Sequence, residues 1–298
     1  MDFPFVDSEV GRLREVLMHV PGDELDLISD SNYLRYLFRA GPVDKREFAR
    51  EVEEVIDVYR SEGVVVRLVS DFRDKPNAVY ARDPFLMTPR GAVISNFRYD
   101  VRRGEEAVYA RAIRGLGYPI VKEMGPGEVF EGGNALLLGR GVAIVGVGER
   151  TNRAGARALA EVLGSAGFGE VIEVQTPMNV IHVDEYVAQI DEETVLVVRQ
   201  MFPSEAAERL RELGFDVMTV EYGQLPGGVT PRLCLNMVAL RPRRVVMASG
   251  CEPVRRMLES EGVDVIEVRV DEVLKGGGGI HCITGVLRRD PVGGSGAG

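Results

Sequence analysis

The sequence has no basic surplus, no neighbouring pair of cysteines and no long apolar run, and each absence excludes something. Its 46 acidic residues exceed its 36 basic ones, for a formal net charge of −10. An acidic surface argues against nucleic acid and anionic membrane as partners and favours cationic ligands. No apolar run approaches the ~20 residues of a membrane span. The first residues, MDFPFVDSEV, carry no basic-then-apolar leader. The three cysteines, Cys234, Cys251 and Cys282, are odd in number and form no C-x-x-C. Neither a disulfide framework nor a structural zinc cluster is expected, and a reducing cytoplasm is the simplest compartment.

What the chain does contain is a repeat. Five segments share a helix pattern that ends at glycine and runs into a β-rich stretch: YRSEGVVVRLV, IRGLGYPIVKE, GSAGFGEVIEV, RELGFDVMTV and ESEGVDVIEV. Their glycines, Gly63, Gly117, Gly167, Gly214 and Gly262, lie 54, 50, 47 and 48 residues apart. Each stands where a helix C-cap favours a left-handed residue. Asp44 with Glu47 reads as a capping-box pair, and Pro253 suits the start of a helix. Two β-rich runs around a turn also recur, as in YARDPFLMTPRGAVISNF and VFEGGNALLLGRGVAIVGV. The unit is therefore strand, strand, helix, strand.

The fifth unit is one strand short at the C-terminus, while Leu13 to Val20 form an unpartnered strand near the N-terminus. Pairing the two completes a fifth hairpin and closes a ring. The expected fold is α/β, a five-bladed pseudo-symmetric propeller in one domain over residues 1–290, with a flexible tail at 291–298. An open α/β sheet accounts for the periodicity but not for the split unit.

Superposing the hairpins aligns Asp83, Glu131, His182, Cys234 and Cys282, spaced 48, 51, 52 and 48. If these occupy the first strand of each hairpin, a ring brings them to its axis, and Asp184 shares the strand face of His182. Taken singly, each has an ordinary structural use. Asp83 in RDPF caps a turn, Glu131 in EGG sits on a loop, His182 is a hydrogen-bonded structural residue, and Cys282 is a small apolar filler. Their coincidence at one phase of the repeat points instead to a site. A His, a Cys and carboxylates can hold zinc, but three carboxylates with one thiol and one imidazole is an odd zinc set. Nucleophilic catalysis ranks above it.

A cysteine nucleophile works as the thiolate, with a histidine to move protons. Carboxylates nearby raise a thiol pKa and oppose this, unless the substrate is itself the cation. A guanidinium is planar, with five N–H donors that match carboxylates in pairs. Asp83, Asp184 and Glu131 would grip it with its carbon presented to Cys282. The run Gly276–Gly279 lets such a ligand approach the backbone, and a Cβ at Gly277 or Gly278 would intrude. His281 alternates away from Cys282 and is assigned to structure.

At these residues the chain resembles the guanidino-group modifying enzymes of the pentein, or α/β-propeller, superfamily, and most closely the arginine deiminases. The matching elements run in order: NAVYARDPF, FEGGN, GVGERTN, HVDEYV and GGGGIHC. The resemblance implies Cys282 as nucleophile, His182 as general acid/base, Asp83 and Asp184 as guanidinium clamps, and Glu131 beside His182 and the substrate. It also implies Arg102 and Arg150 as binders of the substrate α-carboxylate and Asn77 as a contact to its amino-acid end. The implied reaction is hydrolysis of L-arginine to citrulline and ammonia through an S-alkylthiouronium on Cys282, with no metal or organic cofactor. Family habit suggests a cytoplasmic homodimer.

Three features depart from the arginine deiminase pattern. The chain is too short for the usual helical insertion, Asn134 stands where aspartate is common, and GGGGIHCIT reads like agmatine deiminase, with Lys275 near where some deiminases carry arginine. The alternatives are therefore an arginine dihydrolase giving ornithine, a dimethylarginine dimethylaminohydrolase, amidino transfer, or a non-catalytic arginine-binding or ribosome-associated module.

Overall fold

The computed structural model describes residues 5–227 and 232–292. Among these, fifteen strands form five three-stranded sheets. Four follow one plan, a hairpin whose second strand also pairs in parallel with a strand that returns after a helix. In chain order they are β3 (Phe85–Thr88), β4 (Gly91–Ile94) and β5 (Ile120–Glu123); then β6 (Ala135–Leu137), β7 (Val142–Val147) and β8 (Glu170–Gln175). The next are β9 (Val187–Gln189), β10 (Thr194–Val198) and β11 (Asp216–Val220), and β12 (Val238–Arg241), β13 (Arg244–Ala248) and β14 (Asp264–Val268). The crossover helices are α2 (Glu105–Gly115), α3 (Arg153–Ser165), α4 (Ser204–Glu212) and α5 (Glu252–Ser260).

The fifth sheet is the split one. Strand β1 (Leu13–Met18) pairs in parallel with β2 (Val65–Leu68) across α1 (Lys45–Ser61), and antiparallel with β15 (Gly285–Arg289) at the other end of the chain. This is the expected closure, and the fold is the five-unit α/β propeller.

Burial explains why the strands read as they do. The middle strands β7, β10 and β13 are covered on both faces and are near-continuous apolar runs, VAIVGV, TVLVV and RVVMA. The outer strand β5 alternates between partly buried and exposed. Helix α1 turns Phe48, Val52, Val55, Ile56 and Tyr59 inward. Asp44 accepts the amide of Glu47 at its start, as expected, while the Glu47 carboxylate pairs with Arg50 instead of reaching back. All five repeat glycines adopt the left-handed backbone, with φ from 77° to 100°.

Two expectations are corrected. The aligned residues do not lie on strands: Asp83 precedes β3 by two residues, and Glu131 and His182 stand just before short 3-10 turns, Gly132–Asn134 and Val183–Glu185. The chain must turn at the axis because five strands cannot continue into it, and Asp184 therefore occupies a turn. Likewise the residues after Cys282 continue a turn, closed by Ile283 N–H to Gly279 O (3.1 Å), and β15 begins only at Gly285. Residues 293–298 of the expected tail lie outside the described residues, while the amide of Val292 still donates to Asp7 (3.3 Å).

The second correction concerns Cys234. Its sulfur is bonded to that of Cys251, 17 residues on, across the β12–β13 hairpin. An odd cysteine count hid one bridge plus one free thiol, and the argument for a reducing compartment goes with it. Closing a loop of this length stabilises by about 3 kcal/mol through the unfolded chain. Cys251→Ser should lower the unfolding free energy by about that amount in urea titration, and dithiothreitol should do the same to the wild type. Equal midpoints with and without the bridge would refute this.

Candidate active site

The remaining four aligned residues, with Asp184, meet at the axis, all 3% exposed or less. His182 is the hub. Its Nε2 lies 2.9 Å from Glu131 Oε2, and its Nδ1 lies 3.5 Å from Asp83 Oδ1. Burial by itself lowers the imidazole pKa, but the charges of Asp83 and Glu131 outweigh it and raise the pKa above that of a free histidine. Burial likewise raises Glu131, yet Arg150 and His182 hold it well below the usual carboxylate range.

Local backbone chemistry makes room for this. A Cβ on Gly133 would come within 2.6 Å of His182 Nδ1, so the second glycine of EGG is space for the imidazole. Asn134 accepts the amide of Val183 (3.2 Å) and donates to Thr151 (3.1 Å), tying the turn before β6 to the turn before β9. Its role is to fix the two turns against each other. Glu185 accepts the amides of Ile181 (2.7 Å) and His182 (3.0 Å) and so anchors the histidine backbone.

The nucleophile candidate lies beside this cluster. Cys282 Sγ is 3.8 Å from Asp184 Oδ2, and both Asn236 Nδ2 (3.2 Å) and the backbone N–H of Gly279 face the sulfur. Burial first, then the charges of Asp184 and Asp83, push the thiol far above its ordinary value. His281 is not idle: its Nδ1 pairs with Asp184 Oδ2 (2.7 Å) and its Nε2 with Glu9 Oε2 (3.3 Å). Glu9 also accepts from Arg82 Nη2 (3.0 Å), the neighbour of Asp83. Thus His281 points away from the sulfur, as expected, and its work is to hold Asp184.

The glycines before Cys282 pack on Tyr80. A Cβ on Gly276 would meet the Tyr80 hydroxyl at 1.9 Å, and one on Gly278 its ring at 2.4 Å and Cys282 Cβ at 3.0 Å. Gly277 has φ +81°, which favours glycine, and a Cβ there would approach Ile181 at 2.9 Å. Asn77, Tyr80, Asp83, Arg102, Arg150, His182, Gly277, Gly278 and Cys282 line one narrow cavity. Lys275 lies outside it, held by Glu272 (2.7 Å) and the Pro42 carbonyl (3.1 Å).

The two arginines are buried, not surface residues. Arg102 pairs with Asp83 (2.5 Å) and Glu105 (2.7 Å) and packs over the Phe97 ring; Arg150 pairs with Glu131 (2.9 Å) and packs over Tyr99. Here they neutralise site carboxylates. Ligand atoms of Asp83, Glu131 and His182 lie within 4.8 Å of one another, a spacing that suits a metal. An ion there would have to compete with both arginines and with the proton on His182. The buried polar atoms without a hydrogen bond include Asn77 Oδ1, Asp83 Oδ1 and Arg150 Nε on residues lining the cavity, and Asp184 Oδ1 beside it; Asp83 Oδ1 has only the 3.5 Å approach of His182 Nδ1.

The comparisons with known proteins fit this geometry. The family model described as N,N dimethylarginine dimethylhydrolase, eukaryotic, matches residues 37–289. The chain belongs to that family. Arginine deiminase of Rhodococcus erythropolis is 25% identical over 405 aligned positions, covering 96% of this chain and 98% of the relative. That alignment is longer than this chain, so the relative carries inserted residues. N(G),N(G)-dimethylarginine dimethylaminohydrolase of Mycobacterium tuberculosis is 28% identical over 246 residues, covering 82% of this chain and 76% of the relative. Among solved structures, the N-terminal domain of a cyanobacterial arginine dihydrolase superposes with a TM-score of 0.78 at 20% identity, covering 92% of this chain and 97% of that one. This family member is therefore a guanidino-modifying pentein enzyme. Among its described residues, no helix is long and apolar enough to cross a membrane.

Sequence reasoning missed Glu9, Arg82, Glu105, Glu185 and Asn236. Only Asn236 carried a usable signal, standing two residues from the aligned position of its unit. Glu131→Gln would remove the charge beside His182 Nε2, and the imidazole pKa should then fall. Histidine proton shifts followed by NMR between pH 5 and 9 would report this, and an unmoved titration would contradict the assignment.

Proposed function

We propose that the protein hydrolyses the guanidinium of free L-arginine to citrulline and ammonia, with Cys282 as nucleophile and His182 as general acid/base. The carrying observation is that these four buried atoms, in and beside the cavity, have no hydrogen-bond partner. The three oxygens can accept and Arg150 Nε can donate. Asp83 and Asp184 suit an unsubstituted guanidinium, Asn77 Oδ1 an α-ammonium, and Arg150 Nε an α-carboxylate. Asp184, supported by His281, grips one side of the cation, and Asp83, supported by Arg102, the other; Gly277 lends backbone at the mouth of the cavity.

The raised thiol pKa fits this reading. In the free enzyme burial and then the carboxylates keep Cys282 protonated. A bound cation offsets their charge, and the thiol gives up its proton to solvent as the substrate arrives, to regain one when the product has left. The thiolate attacks the guanidinium carbon, forming the C–S bond of a tetrahedral adduct. His182, cationic beside Asp83 and Glu131, protonates the departing nitrogen, and ammonia leaves an S-alkylthiouronium. Neutral His182 then takes a proton from water, whose oxygen bonds to the same carbon. The C–S bond breaks, releasing citrulline and the thiolate.

A substrate lacking one complementary group leaves a buried atom unpaired, costing about 1–3 kcal/mol. Asymmetric dimethylarginine has no N–H on one terminal nitrogen, and agmatine has no carboxylate. Each should show kcat/KM at least tenfold below that of arginine. One ammonia and one citrulline per arginine are expected by mass analysis. Ornithine with two ammonia would reassign the enzyme as a dihydrolase, and a preference for dimethylarginine would reassign the substrate. Cys282→Ala should abolish turnover and the covalent mass adduct, and retained activity would overturn the scheme.

A further inference from the structure

We infer that Asn236 is a catalytic residue whose carboxamide donates a hydrogen bond to the Cys282 sulfur and stabilises the attacking thiolate. The inference rests on Cys282 being the nucleophile. Asn236 is 1% exposed and lies between β11 and β12, in the unit whose aligned cysteine is tied up in the disulfide. Its side chain has three close neighbours: the Cys282 amide at 3.2 Å from Oδ1, and the Asp184 carbonyl and Cys282 Sγ each at 3.2 Å from Nδ2.

The two backbone groups fix which way the amide faces. An N–H can only donate, so the Cys282 amide requires the oxygen; a carbonyl can only accept, so Asp184 requires the nitrogen. The flipped amide would set oxygen against oxygen and N–H against N–H. The atom facing sulfur is therefore Nδ2, and of its two protons one serves Asp184 and the other the sulfur. A neutral donor suits this place. Burial and two carboxylates already oppose the thiolate, and an uncharged N–H lowers its energy without adding a cation that would repel the substrate.

The neighbourhood holds Asn236 still. Its own carbonyl accepts the amide of His281 (3.2 Å), so successive amides of the nucleophile turn both end on this one residue. Cys234, two residues earlier, is bonded to Cys251 just ahead of α5. A Cβ on Gly279 would come within 2.8 Å of Asn236 Oδ1, so the last glycine of the run leaves room for the carboxamide.

Alkylation of Cys282 by iodoacetamide, followed by intact mass from pH 6 to 10, reads the sulfur without any substrate. It is the one free thiol in the chain, and alkylation rate follows the thiolate fraction. In Asn236→Ala the rate at pH 8 should fall about tenfold, the curve moving up by about one pH unit. Asn236→Asp, which keeps the acceptor for the Cys282 amide, should move it at least as far. A folded variant of either kind with the wild-type curve overturns the inference. Should neither fold, the Asn236 side-chain amide protons of the wild type should shift in NMR as Cys282 is alkylated, and their indifference would overturn it equally. An error in the substrate assignment leaves these outcomes unchanged, since it would appear only in the product analysis.

Discussion

The pairing of β15 with β1 is the constraint on which the rest depends. Leu13 opposite Arg289 and Val16 opposite Val286 join the two ends of the described chain in one sheet. Only with that register does the turn before β15 lie at the axis, where Cys282 can face groups delivered by the turns before β3, β6 and β9. Arg289, buried at the end of β15, donates to the carbonyls of Gly11 (2.8 Å) and Ala239 (2.6 Å), so the seam is tied to both the N-terminal segment and the neighbouring unit. Such contacts are remote in sequence and their loop-closure entropy is large. The closed sheet and the apolar interior must offset it together.

A second constraint is charge. Asp83, Glu105, Glu131, Asp184 and Glu9 are buried close to one axis, and desolvation alone makes such a cluster costly. Arg82, Arg102 and Arg150 answer it with direct pairs, and His182 and His281 supply two further partners. Glu105, deepest against Arg102, still has its pKa raised to about 7 by burial. The balance is local. Glu131 and Glu9 are held on both oxygens, whereas Asp83 and Asp184 are each hydrogen-bonded on one oxygen only.

Much of this architecture could be read from residues alone, because local physics leaves local marks. Helix ends appear as glycines with positive φ, and doubly covered strands appear as apolar runs. Repeat phase alone groups Asp83, Glu131, His182 and Cys282. The same superposition misjudged Cys234, since a disulfide between residues 17 apart leaves no spacing signature of its own. Asn236 escaped because a neutral amide has no marked chemistry until its neighbours are known. Glu9 escaped for another reason: it precedes the first strand and has no counterpart in the other units. The burial of Arg102 and Arg150 was invisible because a charged side chain in sequence reads as solvated, and only partners such as Glu105 reveal otherwise.

The crowding of the sulfur has a consequence for the enzyme at rest. Peroxide oxidises thiolates and spares thiols, so susceptibility to sulfenic and sulfinic acid formation follows the thiolate fraction. With its pKa raised, the cysteine is shielded by its proton when the site is empty, and under the proposed mechanism by the occupant when it is not. The burial and the carboxylates that raise the thiol pKa thus also act as a redox guard on the one free thiol. By the same logic, neutral electrophiles react with this sulfur slowly, and faster as pH rises. Electrophiles carrying an amidinium charge bring their own activation with them.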